Sequence, residues 1–341
     1  MRIDEACEPT FARHETFHPR LSWFRKAFLA AGKDRGGFFL AEDAPVRLGV
    51  GKNMVRSIKF WGTAARLITD VDHPNSARMS YTMPTNFGVG LLGPDGLDPQ
   101  MENPATWWWI HWMLLAPRSA LPVWWILLNE MSAVEFDDAL AERVCIDAVE
   151  ASPWDSPNTS SIHKDVTAFF RTYAHGASGR GKFDDQFGSP LRELRLVTPS
   201  VAGHRLATGS PRNLPGEIVL AAIMDFLSMT STSASTASLS RLASEPGAPG
   251  RIFRLSEEGL RQLIAPVVER SKVLTLTAPA GATQLGWKGA LAEIGHRLLC
   301  DYFDADSEGE GPPLIGPLAR EANVDPLVSL FVAEHSRGVV L

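Results

Sequence analysis

The clearest pattern in the sequence is an apolar stripe at helical spacing between residues 52 and 69. Its members follow one another at steps of four, three, four and three, which places them on one face of an α-helix. Cationic and hydroxyl side chains follow the same steps on another face. We therefore predict a long helix with one buried and one cationic face. The apolar stripe is Met54, Ile58, Trp61, Ala65 and Ile68, and the second stripe is Lys52, Arg56, Lys59, Thr63 and Arg66.

Two shorter helices are predicted upstream of it. The first covers residues 19–33, where a proline opens the helix and apolar side chains repeat at helical spacing. The second covers residues 38–43 and is expected to end before Pro45, because a proline disfavours helical backbone in the residue before it. Residues 48–51 then form a glycine-containing turn. This is the layout of a helix–turn–helix, and residues 72–98 are expected to contain a β-hairpin wing.

The same layout is predicted a second time. Residues 137–151 and 159–173 both show helical periodicity, and two prolines mark the turn between them. Strands at 192–197 and 204–208 are expected to form a wing. The polar side of the second helix carries Ser160, Lys164, Thr167 and Arg171, and the wing tip carries Arg205 and Arg212.

A third unit is predicted in the C-terminal part of the chain. Its elements are a helix at 217–229, a flexible Ser- and Thr-rich connection at 228–240, a helix at 257–270 capped by Ser256, a hairpin at 273–277 and 283–287, and a last helix at 288–302.

The most apolar stretch of the chain, residues 107–128, is interrupted by prolines and an arginine. A membrane span needs about 18 uninterrupted apolar residues, so we expect two buried helices joined by a turn. The tryptophans of this stretch could stack unpaired bases, but their helical spacing favours core packing.

These elements predict a mainly α fold with β-hairpin wings (α+β), built from tandem winged-helix or helix–turn–helix-like units. We place an N-terminal DNA-binding unit at residues 1–104, a central winged-helix-like unit at 105–215 and a C-terminal helical or winged-helix-like unit at 216–341. The length of 341 residues agrees with two or three domains.

Charge is distributed unevenly along the chain. The net charge of −6 argues against nucleic-acid binding when the protein is considered as a whole. Residues 45–69, however, contain five cations and no Asp or Glu, whereas acids cluster at 135–150 and 301–310. A cationic patch on an acidic protein indicates a local nucleic-acid contact.

The cysteines and the N-terminus indicate the compartment. Cys7, Cys145 and Cys300 are odd in number and far apart, which is typical of free thiols in a reducing compartment. The first residues lack the basic start and apolar run of a signal peptide. We expect a cytoplasmic protein without a membrane partner.

Residues 14–18 match the H-E-x-x-H motif of zinc proteases, in which both histidines lie on one helical face and the glutamate acts as base. Pro19 follows the second histidine directly and disfavours helix there. A polar strand or turn packed on the first unit is the favoured interpretation. Residues 48–53 resemble a phosphate-binding loop but lack its first glycine and its Ser or Thr. We expect a turn that brings backbone amides near a DNA phosphate instead.

Several blocks of the sequence together resemble the SspB family. The similarity covers about residues 11–303, and its longest block is EDAPVRLGVGKNMVR at residues 42–56. The other blocks are HETF (14–17), PRLSW (19–23), FW (60–61), DP (98–99), NPAT (103–106), NT (158–159), KDV (164–166), FRTY (170–173) and PGRIF (249–253).

The resemblance implies a DNA-nicking protein of the Ssp DNA phosphorothioation system, a bacterial antiphage modification. The nick would open one strand so that sulfur can replace a non-bridging phosphate oxygen. Such a protein is expected to work beside a cysteine desulfurase, an ATPase and a sulfur-transfer protein.

Two hypotheses follow. The first is a DNA nicking endonuclease that depends on a divalent metal, Mg²⁺ or Mn²⁺, with ligands unknown, and on no organic cofactor. The second is a non-catalytic DNA-binding or recruitment subunit, or a transcriptional regulator; both hypotheses allow a homodimer. The candidate catalytic residues are His14 and Glu15, and the candidate contacts to double-stranded DNA are Arg47, Lys52, Asn53, Arg56, Lys59, His163, Lys164 and Arg171.

Overall fold

Helices make up most of the molecule, and small antiparallel sheets complete an α+β fold. The computed structural model describes residues 1–73, 76–174, 188–209, 213–230, 234–305 and 311–323. The helices are α1 (Ile3–Ala6), α2 (Leu21–Ala30), α3 (Ala44–Leu48), α4 (Lys52–Ala64), α5 (Asn86–Leu92), α6 (Pro104–Leu115), α7 (Pro122–Asn129), α8 (Asp138–Glu150), α9 (Thr159–Tyr173), α10 (Gly216–Met229), α11 (Leu239–Ser244), α12 (Pro249–Ile252), α13 (Glu257–Arg270) and α14 (Leu291–Phe303). The strands are β1 (Ile68–His73), β2 (Ser76–Pro84), β3 (Glu135–Phe136), β4 (Val197–Ser200), β5 (Gly203–Leu206), β6 (Thr236–Ser238), β7 (Leu274–Thr277) and β8 (Gln284–Trp287).

The centre of the molecule is the predicted pair of buried helices, α6 and α7. Both are apolar on all sides, and from Ala105 to Leu115 and from Pro122 to Asn129 every residue is buried. Asn103 caps α6 by accepting a hydrogen bond from the Ala105 amide, which satisfies one of the free amides of the first turn. The prediction of core tryptophans is confirmed, because five of them are at most 1% exposed. These are Trp108, Trp109, Trp112, Trp124 and Trp125.

The first predicted unit contains α2, α3, α4 and the β1–β2 hairpin, with three boundaries different from the prediction. Pro45 does not end a helix, because it occupies the first turn of α3, where its missing amide costs nothing. Helix α4 ends at Ala64 rather than residue 69, because Arg66 adopts a left-handed φ of 61°. The wing therefore begins at Ile68, four residues before the predicted region.

The order of elements in the second unit recurs in the third with one additional short helix, α12. Helix α7 is followed by β3, α8, α9, β4 and β5, whose sheet order is β3-β5-β4. Helix α10 is followed by β6, α11, α12, α13, β7 and β8, whose sheet order is β6-β8-β7. In both sheets the first strand pairs with the last.

Two predicted segments of these units differ from the structure. The predicted strand at 192–197 is largely a 3₁₀ helix, Pro190–Leu194, opened by a proline and capped by the Ser189 side chain. The predicted flexible connection at 228–240 contains β6 and the first residues of α11 in its described part. Its Ser and Thr residues do not prevent pairing, because Thr236–Ser238 pair with β8. Arg212 lies outside the described residues.

A single cluster of buried apolar side chains runs through all three units. Helices α2 and α4 pack closely where they cross, since a Cβ built on Gly62 would lie 2.4 Å from the Ala27 Cβ. The boundaries at residues 104 and 215 stay a prediction. In the described part of the chain, no helix is long and apolar enough to cross a membrane.

His111 of α6 connects the second and third units. Its Nε2 lies 2.9 Å from the Ile252 carbonyl, and its Nδ1 lies 2.7 Å from the Tyr173 hydroxyl at the end of α9. A carbonyl only accepts, so Nε2 carries the proton and the Tyr173 hydroxyl donates to Nδ1. Burial lowers the pKa of His111 to about 4, and the imidazole is therefore neutral at pH 7.

Candidate nucleic-acid interface

Residues 11–18 form a segment between α4 and α9, the two predicted DNA-reading helices, and we call it the strap. On one side the Ser57 hydroxyl of α4 donates to the His14 carbonyl at 3.0 Å, and the Trp61 indole donates to the Phe17 carbonyl at 3.1 Å. On the other side the Ala12 amide donates to the Asp165 carboxylate of α9 at 2.9 Å. The strap therefore joins the inner faces of both helices.

His14 lies at the centre of the strap and is 1% exposed. Its Nε2 lies 2.6 Å from an Asp165 carboxylate oxygen. The ring packs against Trp61 and Trp124, with centroid distances of 6.2 and 5.7 Å. Burial raises the pKa of Asp165, and the hydrogen bonds from His14 and Ala12 oppose this rise. This geometry gives His14 a positioning role between the helices and no contact with solvent.

The H-E-x-x-H motif does not form a zinc-protease helix. Residues 14–18 are turn and coil, and both Glu15 and Thr16 adopt left-handed φ angles, 51° and 66°. The Glu15 carboxylate, 31% exposed, lies 3.5 Å from the Arg56 guanidinium. His14 points into the core while Glu15 faces the α4 surface, so the two candidate catalytic side chains do not share one site. The alternative of a turn packed on the first unit is confirmed.

The outer face of α4 carries the predicted cations. Lys52, Asn53 and Arg56 are exposed, and Lys59 is partly exposed. They are exposed because the opposite face of α4, with Val55, Ile58 and Trp61, is buried and faces α2. The turn before the helix uses Gly49 at a left-handed φ of 66°, and Gly51 occupies the N-cap.

Acids from other elements lie beside most of these cations. Arg47 pairs with Asp34 at 2.6 Å and packs over the Phe38 ring. Lys59 pairs with Asp70 at 3.0 Å, and Arg56 pairs with Glu15. Among the residues that the structure describes, Lys52 has no ion-pair partner. The acid-free stretch of sequence is therefore partly neutralised in three dimensions.

The outer face of α9 carries the second set of predicted contacts. Lys164 and Arg171 are exposed, and within the described ranges neither side chain forms an ion pair. His163 near the N-terminus of the helix is 63% exposed, and its Nδ1 lies 2.6 Å from a Glu142 carboxylate oxygen. Asn158 caps this helix through a hydrogen bond from the Ser160 amide.

Arg66 does not belong to the cationic face of α4, although its spacing placed it there. Its guanidinium is buried and donates to the carbonyls of Met113, Ala116 and Pro117 at 2.7–2.8 Å. These are carbonyls at and just beyond the end of α6, where the helix dipole favours a cation.

Sequence reasoning did not recognise the role of Asp165. Its signal was present, because Asp165 stands between Ile162 and Val166 on the apolar stripe of α9. A carboxylate at a core position needs hydrogen-bond donors, and the strap supplies them.

The described residues contain no group of three or more His, Cys, Asp or Glu side chains placed to hold a metal ion. The pair of His14 and Asp165 is enclosed and supplies only two ligands. Mg²⁺ is commonly held by only one or two carboxylates together with water and substrate phosphates. The described residues identify no ligand set for it, so no catalytic step is assigned to a metal ion.

Comparison with known proteins defines the class first. The family described as "Protein of unknown function (DUF4007)" matches residues 11–303, and the chain belongs to this family. Within it, the chain is similar to two crystal structures of SspB, one of them with magnesium ion bound. Each is 30% identical with a TM-score of 0.86; the alignments cover 99% of this chain and 100% or 99% of the SspB chains. The predicted resemblance to SspB is thereby confirmed. No curated protein matches the sequence.

Proposed function

We propose that this protein recognises a DNA sequence and nicks one strand to allow phosphorothioate modification in an Ssp system. The observation that carries the DNA-binding part is the pair of exposed cationic faces on α4 and α9, joined by the strap. The similarity to SspB over the full chain supports membership of the Ssp system. The nicking activity is inferred from the resemblance to SspB, and the plasmid assay below tests it.

We infer that the second and third units are winged helices. The second unit has the order helix–strand–helix–helix–strand–strand, and the third has this order with the short helix α12 added between α11 and α13. In both sheets the first strand pairs with the last, which supports the inference. The first unit has the same helices and a two-stranded wing. In such folds the last helix before the wing enters the major groove. Helices α4, α9 and α13 have that position, and we propose the role for α4 and α9 because their outer faces are cationic.

The proposed contacts divide into two kinds. Lys52, Lys164 and Arg171 are exposed without ion pairs in the described part of the chain and would bind phosphates directly. Asn53 lies in the first turn of α4 and His163 in the second turn of α9, where they could reach base edges.

The paired cations Arg47, Arg56 and Lys59 would exchange their carboxylates for phosphates. Exposed ion pairs contribute only about 0–1 kcal/mol, so the exchange costs little.

The second candidate is a DNA-binding subunit that cuts nothing and recruits a partner. It is favoured by the absence of a three-residue metal-ligand cluster among the described residues. The proposed partners are a cysteine desulfurase, an ATPase and a sulfur-transfer protein. A homodimer and a cytoplasmic location stay predictions.

A plasmid assay separates the two candidates. Purified protein is incubated with supercoiled plasmid and Mg²⁺, Mn²⁺ or EDTA, and salt-dependent binding to linear DNA is measured in parallel. Metal-dependent open-circle product supports the nickase. Binding without any product supports the recruitment subunit, and absence of both contradicts the whole proposal.

The Glu15→Gln variant tests the role of that carboxylate. If Glu15 takes part in chemistry, the variant binds DNA and loses nicking. If it only neutralises Arg56, nicking persists and DNA binds about two- to fivefold more tightly, as expected for release of one exposed ion pair. Asp147→Asn, on the exposed side of α8, is the matched control.

A further inference from the structure

A cavity of about 630 Å³ lies beside the C-terminal end of α4, between the first unit and the residues that follow α14. This is the size of a small-ligand site. Three arginines from distant parts of the chain line it, together with hydroxyl side chains and a single carboxylate. The polar and charged side chains that line the cavity include Thr63, Arg66, Thr69, Arg118, Arg320 and Glu8.

Two of the arginines are held rigidly in the cavity wall. Arg66 is fixed by the three carbonyls at the end of α6. Arg320 donates from both terminal nitrogens to the buried Asp225 carboxylate, at 2.8 and 3.2 Å, and to the Gly316 carbonyl. The Nε of Arg320 is buried and has no hydrogen-bond partner. Both guanidiniums are thus positioned in advance, and one retains an unused donor.

Arg118 is exposed and unpaired, in contrast to the other two. Its side chain makes no hydrogen bond or ion pair with any residue in the described ranges. The backbone around it is fixed, because the Ser119 amide donates to the Ala6 carbonyl and the Ser119 hydroxyl donates to the Leu114 carbonyl. Arg118 itself adopts a left-handed φ of 65°. A free cation therefore lines this cavity from an anchored turn.

The cavity is short of negative charge. Arg66, Arg118 and Arg320 supply three positive charges, whereas Glu8 and the partner of Arg320, Asp225, supply two negative ones. Burial, followed by the repulsion from Arg320, lowers the pKa of Arg66 to about 9. An anion in the cavity would relieve this repulsion.

We propose that this cavity binds a phosphate group, as a phosphate ester no larger than a mononucleotide. Guanidiniums bind phosphate through paired charge-assisted hydrogen bonds, and the hydroxyls of Thr63 and Thr69 supply further donors. Thr63 also continues the outer face of α4 after Lys59. The phosphate can therefore come from the end of a DNA strand that follows α4, or from a free nucleotide. The site does not depend on nicking.

The test measures binding and no catalysis. Isothermal titration compares inorganic phosphate, dAMP and chloride at equal ionic strength, and fluorescence anisotropy compares short duplexes with and without a 5′-phosphate. The variants are Arg118→Gln and the control Arg195→Gln, an exposed arginine outside this cavity that shares the left-handed backbone, with a φ of 53°.

We expect Arg118→Gln to weaken phosphate binding by about tenfold or more, the effect of losing a charge-assisted hydrogen bond. Arg195→Gln should leave it unchanged. If Arg118→Gln loses binding of dAMP and phosphate, the natural ligand is a free phosphate compound. If the loss is confined to the 5′-phosphorylated duplex, the ligand is the end of a DNA strand. The proposal is overturned if the wild-type chain binds neither phosphate nor dAMP and binds both duplexes equally tightly. It is also overturned if Arg118→Gln binds every probe as tightly as the wild type.

Discussion

Helices α9 and α13 occupy the same place in two units of the same topology, yet their outer faces differ in charge. Helix α9 presents Lys164 and Arg171, and its one aspartate is buried against the strap. Helix α13 presents Glu257, Glu258 and Glu269 together with Arg261 and Arg270. Both of these arginines are already paired, with Glu258 at 2.7 Å and with Glu217 at 2.9 Å.

The difference shows that the fold alone does not assign a DNA-binding role. A helix that approaches a phosphate backbone needs an excess of cations at its surface, whereas α13 presents three glutamates and two arginines. We infer that α4 and α9 bind DNA, whereas α13 contributes to the scaffold or to a protein contact.

The largest expected effect follows from breaking the strap that holds α4 and α9. Asp165→Ala leaves the Ala12 amide and the His14 ring buried without their acceptor, and we expect it to lower the free energy of unfolding by about 3 kcal/mol. Urea denaturation measures this loss. Asp165→Asn, which retains an acceptor oxygen, should lose less, and Asp147→Ala on the exposed side of α8 should lose almost nothing. Equal stability of all three would contradict a role for the strap.

Acid should loosen the link between α9 and the third unit. The pKa of His111 falls from 6.5 to about 4 on folding, so the unfolded chain binds the proton more tightly. Stability is fully present above pH 6.5 and is lost as the pH falls to 4, by about 3 kcal/mol at about 1.4 kcal/mol per pH unit. Urea denaturation between pH 7 and 4 measures the loss.

His111→Gln should remove this part of the pH dependence, because glutamine does not titrate. Other carboxylates titrate in both proteins, so the difference between the two profiles is the relevant quantity. Parallel profiles would show that His111 does not make this contribution.

Reversing the unpaired cations should abolish most DNA binding. The variant Lys52→Glu, Lys164→Glu, Arg171→Glu is expected to bind about 100-fold more weakly, or by about 2.7 kcal/mol. The slope of the logarithm of affinity against the logarithm of salt concentration should fall by about 3, because three phosphate contacts disappear. Anisotropy titrations at several salt concentrations measure both quantities. An unchanged slope would place the DNA elsewhere on the surface.

The smallest effect is expected on α13. In the double variant Arg261→Glu, Arg270→Glu, each substitution reverses one positive charge, as in the previous variant, but on the acidic outer face of α13. DNA affinity should change by less than about twofold, in the range of weak, screened surface effects. A tenfold loss would instead assign α13 to the interface and remove the distinction between the two helices.

Local patterns were sufficient for most helices and for the buried centre. Residues 257–270 were predicted to be a helix capped by Ser256, and the structure has these bounds. Periodicity and capping act over four residues, so a single sequence contains them. The end of α4 was missed, because Arg66 leaves the helix to reach carbonyls of α6, some 50 positions away.

The cationic patch was predicted only in part. Residues 45–69 contain Arg47, Lys52, Arg56 and Lys59 and no acid, whereas the structure brings Asp34, Glu15 and Asp70 beside Arg47, Arg56 and Lys59. Sequence neighbours cannot report such pairs, because they form only when distant segments pack. The H-E-x-x-H match suggested a site that does not form. A match of residue types contains no information about the backbone, and Glu15 and Thr16 have left-handed φ angles that exclude a helix.

The sequence by itself determined the helical stripes, the apolar centre and the resemblance to SspB, because each depends on residue types at fixed spacing. Only the tertiary structure decided that His14 is enclosed against Asp165 and that Arg66 belongs to the core. It also decided that Lys52, Lys164 and Arg171 form no ion pair within the described part of the chain. Burial and ion pairing depend on which distant segments meet. Arginines and lysines at the same helical spacing therefore become a helix cap, one half of an ion pair or an exposed cation according to the packing around them.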